Sequence, residues 1–201
     1  MRGQRDDLCA GRHLADGVER AARRLRRLVS NIGAVVSLER EAALATHPVS
    51  LRSIVDDALA EFAPTEEGTI APQIPDELLI SEVMAHPALA SRAVVLVTEN
   101  ALDFRNEAVV ELRAVSADGE LRLEVSDRGP GIPPDQRDRV FELFTQVEWA
   151  SNRSHEGLGI GLFLARRIME AHGGSLDLRD REGGGATFVL AFRLAAPLRR
   201  A

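Results

Sequence analysis

From Asp16 to Glu41 apolar residues recur at spacings of three and four, at Val18, Ala22, Leu25, Leu28, Val29, Ile32, Val35, Val36 and Leu38, with arginines between them. This period draws one apolar stripe along a helix, which packs either on its own domain or against other helices of a dimeric bundle. His47-Pro48 breaks the helix, and Ser50 is placed to cap a second one running from about Leu51 to Phe62, with Leu51, Ile54, Val55, Ala58 and Leu59 on one face. Short β-rich pieces around Thr69 to Ile74 and Leu78 to Met84 follow. A further helix opens after Pro87 and turns Leu89, Ala93, Val94, Val97, Ala101 and Leu102 inward.

The period then changes from helical to alternating. Val109-Val115 and Leu121-Val125 read as strands joined by the turn Ala117-Asp118-Gly119, and Ala186 to Phe192 reads as a last strand after Gly183-Gly184-Gly185. The expected fold is an α/β (α+β) two-layer sandwich, a mixed and mainly antiparallel sheet with helices on one face, preceded by the long amphipathic helix. Residues 1–47 form the helical appendage and 48–201 the globular domain.

Composition narrows the function classes. With 201 residues and 45% hydrophobic content the chain supports one well-packed domain plus an appendage. The net charge of −6 arises from interspersed acids and bases, so there is no basic field for nucleic acid. The single Cys9, with no secretory signal and no apolar run approaching membrane-spanning length, points to a soluble, reducing, cytoplasmic setting. Every basic side chain other than histidine is arginine, so any cation that contacts a phosphate must be Arg or a metal.

Four segments carry candidate chemistry. Asp127 stands where a strand leaves the sheet, in Ser126-Asp127-Arg128-Gly129-Pro130-Gly131-Ile132, and its carboxylate can accept from an exocyclic amine while the glycines allow close approach of a flat ligand. Alone, such a segment is more often only a turn. Gly157-Leu158-Gly159-Ile160-Gly161-Leu162 leads into a helical pattern, where free amides and the positive end of the dipole suit phosphate; a tightly packed turn is an equal reading in isolation. Between them, Phe141 and Phe144 precede a polar stretch from Thr145 to Glu156 that reads as an anchored, mobile loop. Asn100 interrupts the apolar pattern of the helix after Pro87, a local cost that usually calls for a partner, although taken alone a solvent-facing or back-bonded Asn is the favoured reading over ligand binding.

In this order and with these spacings, the segments resemble the N, G1, F and G2 boxes of the GHKL (Bergerat-fold) ATPases, from about His86 to Phe192. Phe141-Glu142-Leu143-Phe144-Thr145-Gln146-Val147, Arg153-Ser154, the glycine run and Glu170-Ala171-His172-Gly173-Gly174 look especially like the catalytic domains of sensor histidine kinases of two-component systems. The gyrase, Hsp90 and mismatch-repair branches lack this lid and ending. The resemblance implies ATP and Mg²⁺ as cofactors, with Asn100 as the metal ligand and Asp127 accepting the adenine amine. Gly129, Gly131 and Ile132 would shape the base pocket, bordered by Asp103, Phe141 and Phe144. Gly157, Leu158, Gly159, Gly161 and Leu162 would line the triphosphate, and Arg153 would offer the γ-phosphate a cation.

The same resemblance makes Ser37 to Glu41 and Pro48 to Leu51 the second helix of a dimerisation and phosphotransfer module and its link to the kinase core. It implies a histidine-bearing dimerisation helix and a response regulator receiver domain as partners, and allows a homodimer through the N-terminal helix. The chain departs from the pattern in three ways. No histidine matches the family's acceptor motif, since His13 lacks the following acid and proline. Leu96 stands where these kinases usually have Asn, and Asp103 where many have Lys. Two other readings compete with the kinase: an anti-sigma-type serine kinase, against which the long N-terminal helix and the Phe141 to Val147 run argue, and a degenerate kinase fold that docks a response regulator.

Overall fold

The computed structural model describes residues 29, 31, 33, 45–62, 69–106, 108–145 and 159–196. Of the expected N-terminal helix, only Val29, Asn31 and Gly33 fall among them, all helical; the rest of that helix and His13 lie outside the described residues.

Strand β1 (His47–Ser50) runs into helix α1 (Leu51–Leu59). Ser50 caps it as expected, its Oγ accepting from the Ser53 N–H at 3.2 Å, a contact of about 1 kcal/mol for such caps. The helix ends at Leu59, a turn short of Phe62. Strand β2 (Ile70–Gln73) is followed by a single helical turn, α2 (Asp76–Leu79), and strand β3 (Glu82–Ala85). The expected β-piece from Leu78 is therefore corrected at its start: Pro75 precedes a helical turn with Asp76 and Glu77 at its N-terminal end, where acids suit the dipole. Strand β1, where only a helix break was expected, pairs antiparallel with β3.

Helix α3 (Pro87–Phe104) is the centre of the domain, with Pro87 in its first turn. Leu89, Ala93, Val94, Val97, Ala101 and Leu102 are all buried, as their spacing requires. Strands β4 (Val110–Ala117) and β5 (Glu120–Ser126) form a hairpin through Asp118 and Gly119, both at positive φ (55° and 80°), as a tight hairpin turn demands. Helix α4 (Gly161–Ala171), strand β6 (Ser175–Asp180) and strand β7 (Ala186–Arg193) complete the chain.

The main sheet has the order β2-β4-β5-β7-β6, parallel only between β2 and β4 and antiparallel elsewhere. Alternation sorts its faces: Leu112, Leu121, Leu123, Val125, Phe188, Leu190 and Phe192 are buried in the core that the helices share, while Glu111, Arg113, Glu124 and Arg179 lie on the other face. The expected two-layer α/β sandwich is what the chain forms.

His172 ties two helices together. Its ring, 6% exposed, meets the Ile168 carbonyl through Nδ1 at 2.7 Å and accepts the His86 N–H at Nε2 at 2.9 Å, so the end of α4 anchors the start of α3. These partners fix a neutral ring with the proton on Nδ1, and burial holds its pKa below the usual histidine value.

Candidate functional site

Strand β5 ends at Ser126, and Asp127 is the first residue beyond it, 2% exposed. Its Oδ1 accepts from the Gly129 N–H at 2.7 Å and the Ala186 N–H at 3.2 Å. Its backbone N–H donates to the Ala186 carbonyl at 3.0 Å, and its carbonyl accepts from Arg181 Nη1 at 3.1 Å. Burial raises the carboxyl pKa, and the two amide bonds and Arg181 oppose that rise. Both amides converge on Oδ1, so Oδ2 takes part in neither bond and remains an acceptor in a fixed place.

The glycines after Asp127 are required for different reasons. A Cβ on Gly129 would sit 2.6 Å from the Phe104 carbonyl oxygen and 2.9 Å from Asp127 Oδ1, because this loop crosses the end of α3. Gly131 has φ +74°, and its Cβ would stand 3.3 Å from the Gly185 carbonyl oxygen in the β6–β7 turn. Asn106 Nδ2 donates to the Arg128 carbonyl at 3.2 Å, a second tie between the α3 end and the loop. Ile132 packs half-buried against the core.

Two 3₁₀ turns, Pro134–Gln136 and Arg139–Phe141, carry the chain onward. Phe141 is buried edge-on against Phe188, with centroids 6.4 Å apart, and the Arg166 guanidinium lies 5.0 Å from its ring centre. Phe144 is 68% exposed at φ +64°, and its N–H donates to the Gly159 carbonyl at 3.0 Å. Gly159 also has positive φ, and a Cβ there would come 2.5 Å from the Thr145 carbonyl oxygen. Segments 141–145 and 159–161 therefore meet at the start of α4, whose N-terminus has no side-chain cap. Amides left open in this way suit an anion. Leu162 is half-buried against the core. Arg153, Gly157 and Leu158 lie outside the described residues.

Helix α3 joins the two loops. Leu96, 2% exposed, packs its Cδ2 3.8 Å from where a Gly161 Cβ would be, and the Phe104 carbonyl meets Gly129. Asn100 is one turn from each, on the same face and half-buried, and its side chain makes no hydrogen bond to the described residues. Asp103 is exposed near the helix end. The structure thus sets the Asp127–Gly131 loop at the C-terminal end of α3 and the Gly159–Gly161 segment two turns back at Leu96, with Asn100 between them on the helix. No group of three or more His, Cys, Asp or Glu among the described residues is arranged to hold a metal.

Sequence reasoning missed three contributors. Gly185 (φ +102°) backs so closely on the Asp127 carbonyl that a Cβ would overlap it; the glycine triplet was the signal, read only as a turn. Arg181 and Glu111, 2.6 Å apart beneath Asp127, had no local signal.

Residues 86–196, more than half of the chain, match the family described as histidine kinase-, DNA gyrase B- and HSP90-like ATPases. The chain is 36% identical over 158 residues to the sensor histidine kinase AruS of Pseudomonas aeruginosa, covering 73% of this chain and 15% of that protein. Among solved structures, full-length ShkA in complex with AMPPNP superimposes with a TM-score of 0.66 at 28% identity, over 87% of this chain and 38% of that one. The mycobacterial sensor histidine kinase MprB gives 0.59 at 28% identity, over 74% of this chain and 99% of that chain. The chain spans only a fraction of the curated relatives it matches. With the family match, these likenesses and the Asp127 loop in view, the chain belongs to the histidine kinase-, DNA gyrase B- and HSP90-like ATPases, and contains an ATP-binding domain of the sensor histidine kinase type.

Proposed function

We propose that this chain is the catalytic ATP-binding core of a sensor histidine kinase, transferring the γ-phosphoryl group of ATP to a histidine on a dimerisation helix in two-component signalling. The observation that carries the reading is the Asp127 carboxylate, buried and clamped through one oxygen, beside a helix whose mid-turn Asn100 has an uncommitted carboxamide. Asp127 Oδ2 accepts the adenine N6–H, which recovers part of the cost of burying the charge. Gly129 and Gly131 keep the loop thin enough for the base, with Ile132, Phe141, Phe144 and Asp103 at its border. Gly157, Leu158, Gly159, Gly161 and Leu162 present backbone amides and apolar walls to the phosphates, and Arg153 gives the γ-phosphate a cation.

The donor set fits Mg²⁺ brought in on the nucleotide. Mg²⁺ is ordinarily held by one or two protein groups plus substrate phosphates, which agrees with one amide oxygen from Asn100 and no acidic cage among the described residues. When bound, the ion neutralises phosphate charge. The protein's own task is orientation: Asp127 fixes the base, the α4 N-terminus fixes the phosphates, and the γ-phosphorus is presented in line to an imidazole nitrogen. The N–P bond forms as the bond to the β,γ-bridging oxygen breaks, leaving ADP and a phosphohistidine. We place the domain in the cytoplasm, with a response regulator receiver domain as onward acceptor and a homodimer built through the N-terminal helix. No helix among the described residues is long and apolar enough to cross a membrane.

Radiolabelled ATP, Mg²⁺ and a histidine-bearing dimerisation helix supplied in trans test this. The label should appear on the helix. Asn100→Ala should reduce transfer by about 100-fold or more while ADP binding without metal stays within a few-fold. Equal transfer by Asn100→Ala would remove its assigned role, and no label on any histidine would remove the kinase reading.

A further inference from the structure

Arg181 follows β6 and precedes the Gly183–Gly185 turn, and its side chain is only 11% exposed. A guanidinium does not give up water without partners. Nη2 lies 2.6 Å from Glu111 Oε1 on β4, and Nη1 donates to the Asp127 carbonyl at 3.1 Å. Glu111 is itself only 17% exposed and is faced by Arg113 at 3.2 Å and Arg128 at 3.9 Å. These cations, Arg181 foremost, keep its carboxyl below the ordinary range and so ionised.

The same hairpin grips Asp127 from its other atoms. The Ala186 carbonyl accepts the Asp127 N–H, the Ala186 N–H donates to Oδ1, and Gly185 lies directly behind the Asp127 carbonyl. The main chain from which the carboxylate springs is therefore fixed by a charged strut, Glu111–Arg181, and by the Ala186 carbonyl, while the Gly129 and Ala186 amides hold the carboxylate itself. A hydrogen bond to an exocyclic amine tolerates an error of only a few tenths of an ångström, so a strut at the main chain governs what the carboxylate can read.

We propose that Arg181, seated on Glu111, is a positioning residue for base recognition: it holds the Asp127 main chain so that the carboxylate selects adenine over bases lacking the amine. The inference rests on Asp127 being the adenine acceptor. Titration calorimetry with ADP and with inosine diphosphate, which carries an oxygen in place of the amine, separates this role from a purely structural one. Arg181→Met should weaken ADP by about tenfold and leave inosine diphosphate within about twofold, so the preference collapses. Arg181→Lys should recover part of it, and Glu111→Gln, which keeps the arginine and removes its anchor, should lose part of it.

In an Asp127→Asn background Arg181→Met should add nothing, since the reader is already gone. Parallel losses for both nucleotides, or a full additional loss in the Asp127→Asn background, would overturn the proposal. So would Arg181→Met and Glu111→Gln proteins that melt as wild type and keep their adenine preference while Asp127→Asn loses it. If Asp127→Asn itself binds ADP as tightly as wild type, the assignment of Asp127 fails and the strut's role falls with it. Should Arg181→Met not fold, Glu111→Gln carries the test through the same ratio.

Discussion

A single methyl group at Gly129 tests the convergence of loops at the end of α3. Gly129 does not have a positive φ, so alanine is allowed by the backbone and only the neighbours object. The Cβ would stand 2.6 Å from the Phe104 carbonyl oxygen, where ordinary contact begins at 3.4 Å, so the loop must retreat by the difference, about 0.8 Å. A shift of that size is enough to break the 2.7 Å bond from the Gly129 N–H to Asp127 Oδ1. Losing a hydrogen bond to a charged group is worth about 1.5–3 kcal/mol, so Gly129→Ala should bind ADP about 10- to 100-fold more weakly by calorimetry. Gly119→Ala is the control. It has φ +80° and open space around its Cβ, so it should lose about 1 kcal/mol of stability to backbone strain and leave ADP affinity unchanged. A Gly129→Ala protein that binds ADP within about twofold of wild type and melts with it would refute the close approach and the pocket built on it.

Two further outcomes follow from buried groups. Leu96→Asn puts an amide into the seam between α3 and α4 and should cost about 2–4 kcal/mol in chemical denaturation. On the proposed function it should also raise phosphotransfer per bound nucleotide by adding a polar group one turn from Asn100, and unchanged turnover would show that none is needed there. His172 is neutral in the fold with a lowered pKa, so the folded state binds fewer protons than the unfolded chain. Its contribution is therefore complete above the unfolded value of about 6.5 and is lost as pH falls from there through the depressed folded pKa. Melting from about pH 8 to pH 5 should show this loss, and His172→Gln should flatten that part of the curve; an identical slope in the variant would assign it to other groups.

Much of this architecture was legible because the pattern and the tertiary structure agree. The α3 stripe, the Ser50 cap and the Asp118-Gly119 hairpin each carry local chemistry that dictates their conformation. Strand β1 escaped because its four residues include Pro48 and are strand only through β3, far along the chain. Strand β6 escaped because Ser175-Leu176-Asp177-Leu178-Arg179-Asp180 is a polar edge strand, ordered by β7 and the glycine turn. Asp127 and the motif glycines stood out only through the resemblance of the four segments together to the family's boxes, since each segment alone also reads as a turn. The Glu111–Arg181 strut was not, because ion pairs between strands distant in sequence leave no periodic trace.

On the proposed function Asp127 reads adenine through its second oxygen, and titration of ADP into wild type and Asp127→Asn measures that contact. Asparagine can keep an oxygen at the Oδ1 position for the Gly129 and Ala186 amides, changing only the outer acceptor into a donor that opposes the adenine amine. Wild type should bind saturably, and the variant should lose at least about tenfold in affinity with its melting curve intact. No binding by wild type, or equal affinity in the two proteins, would contradict it.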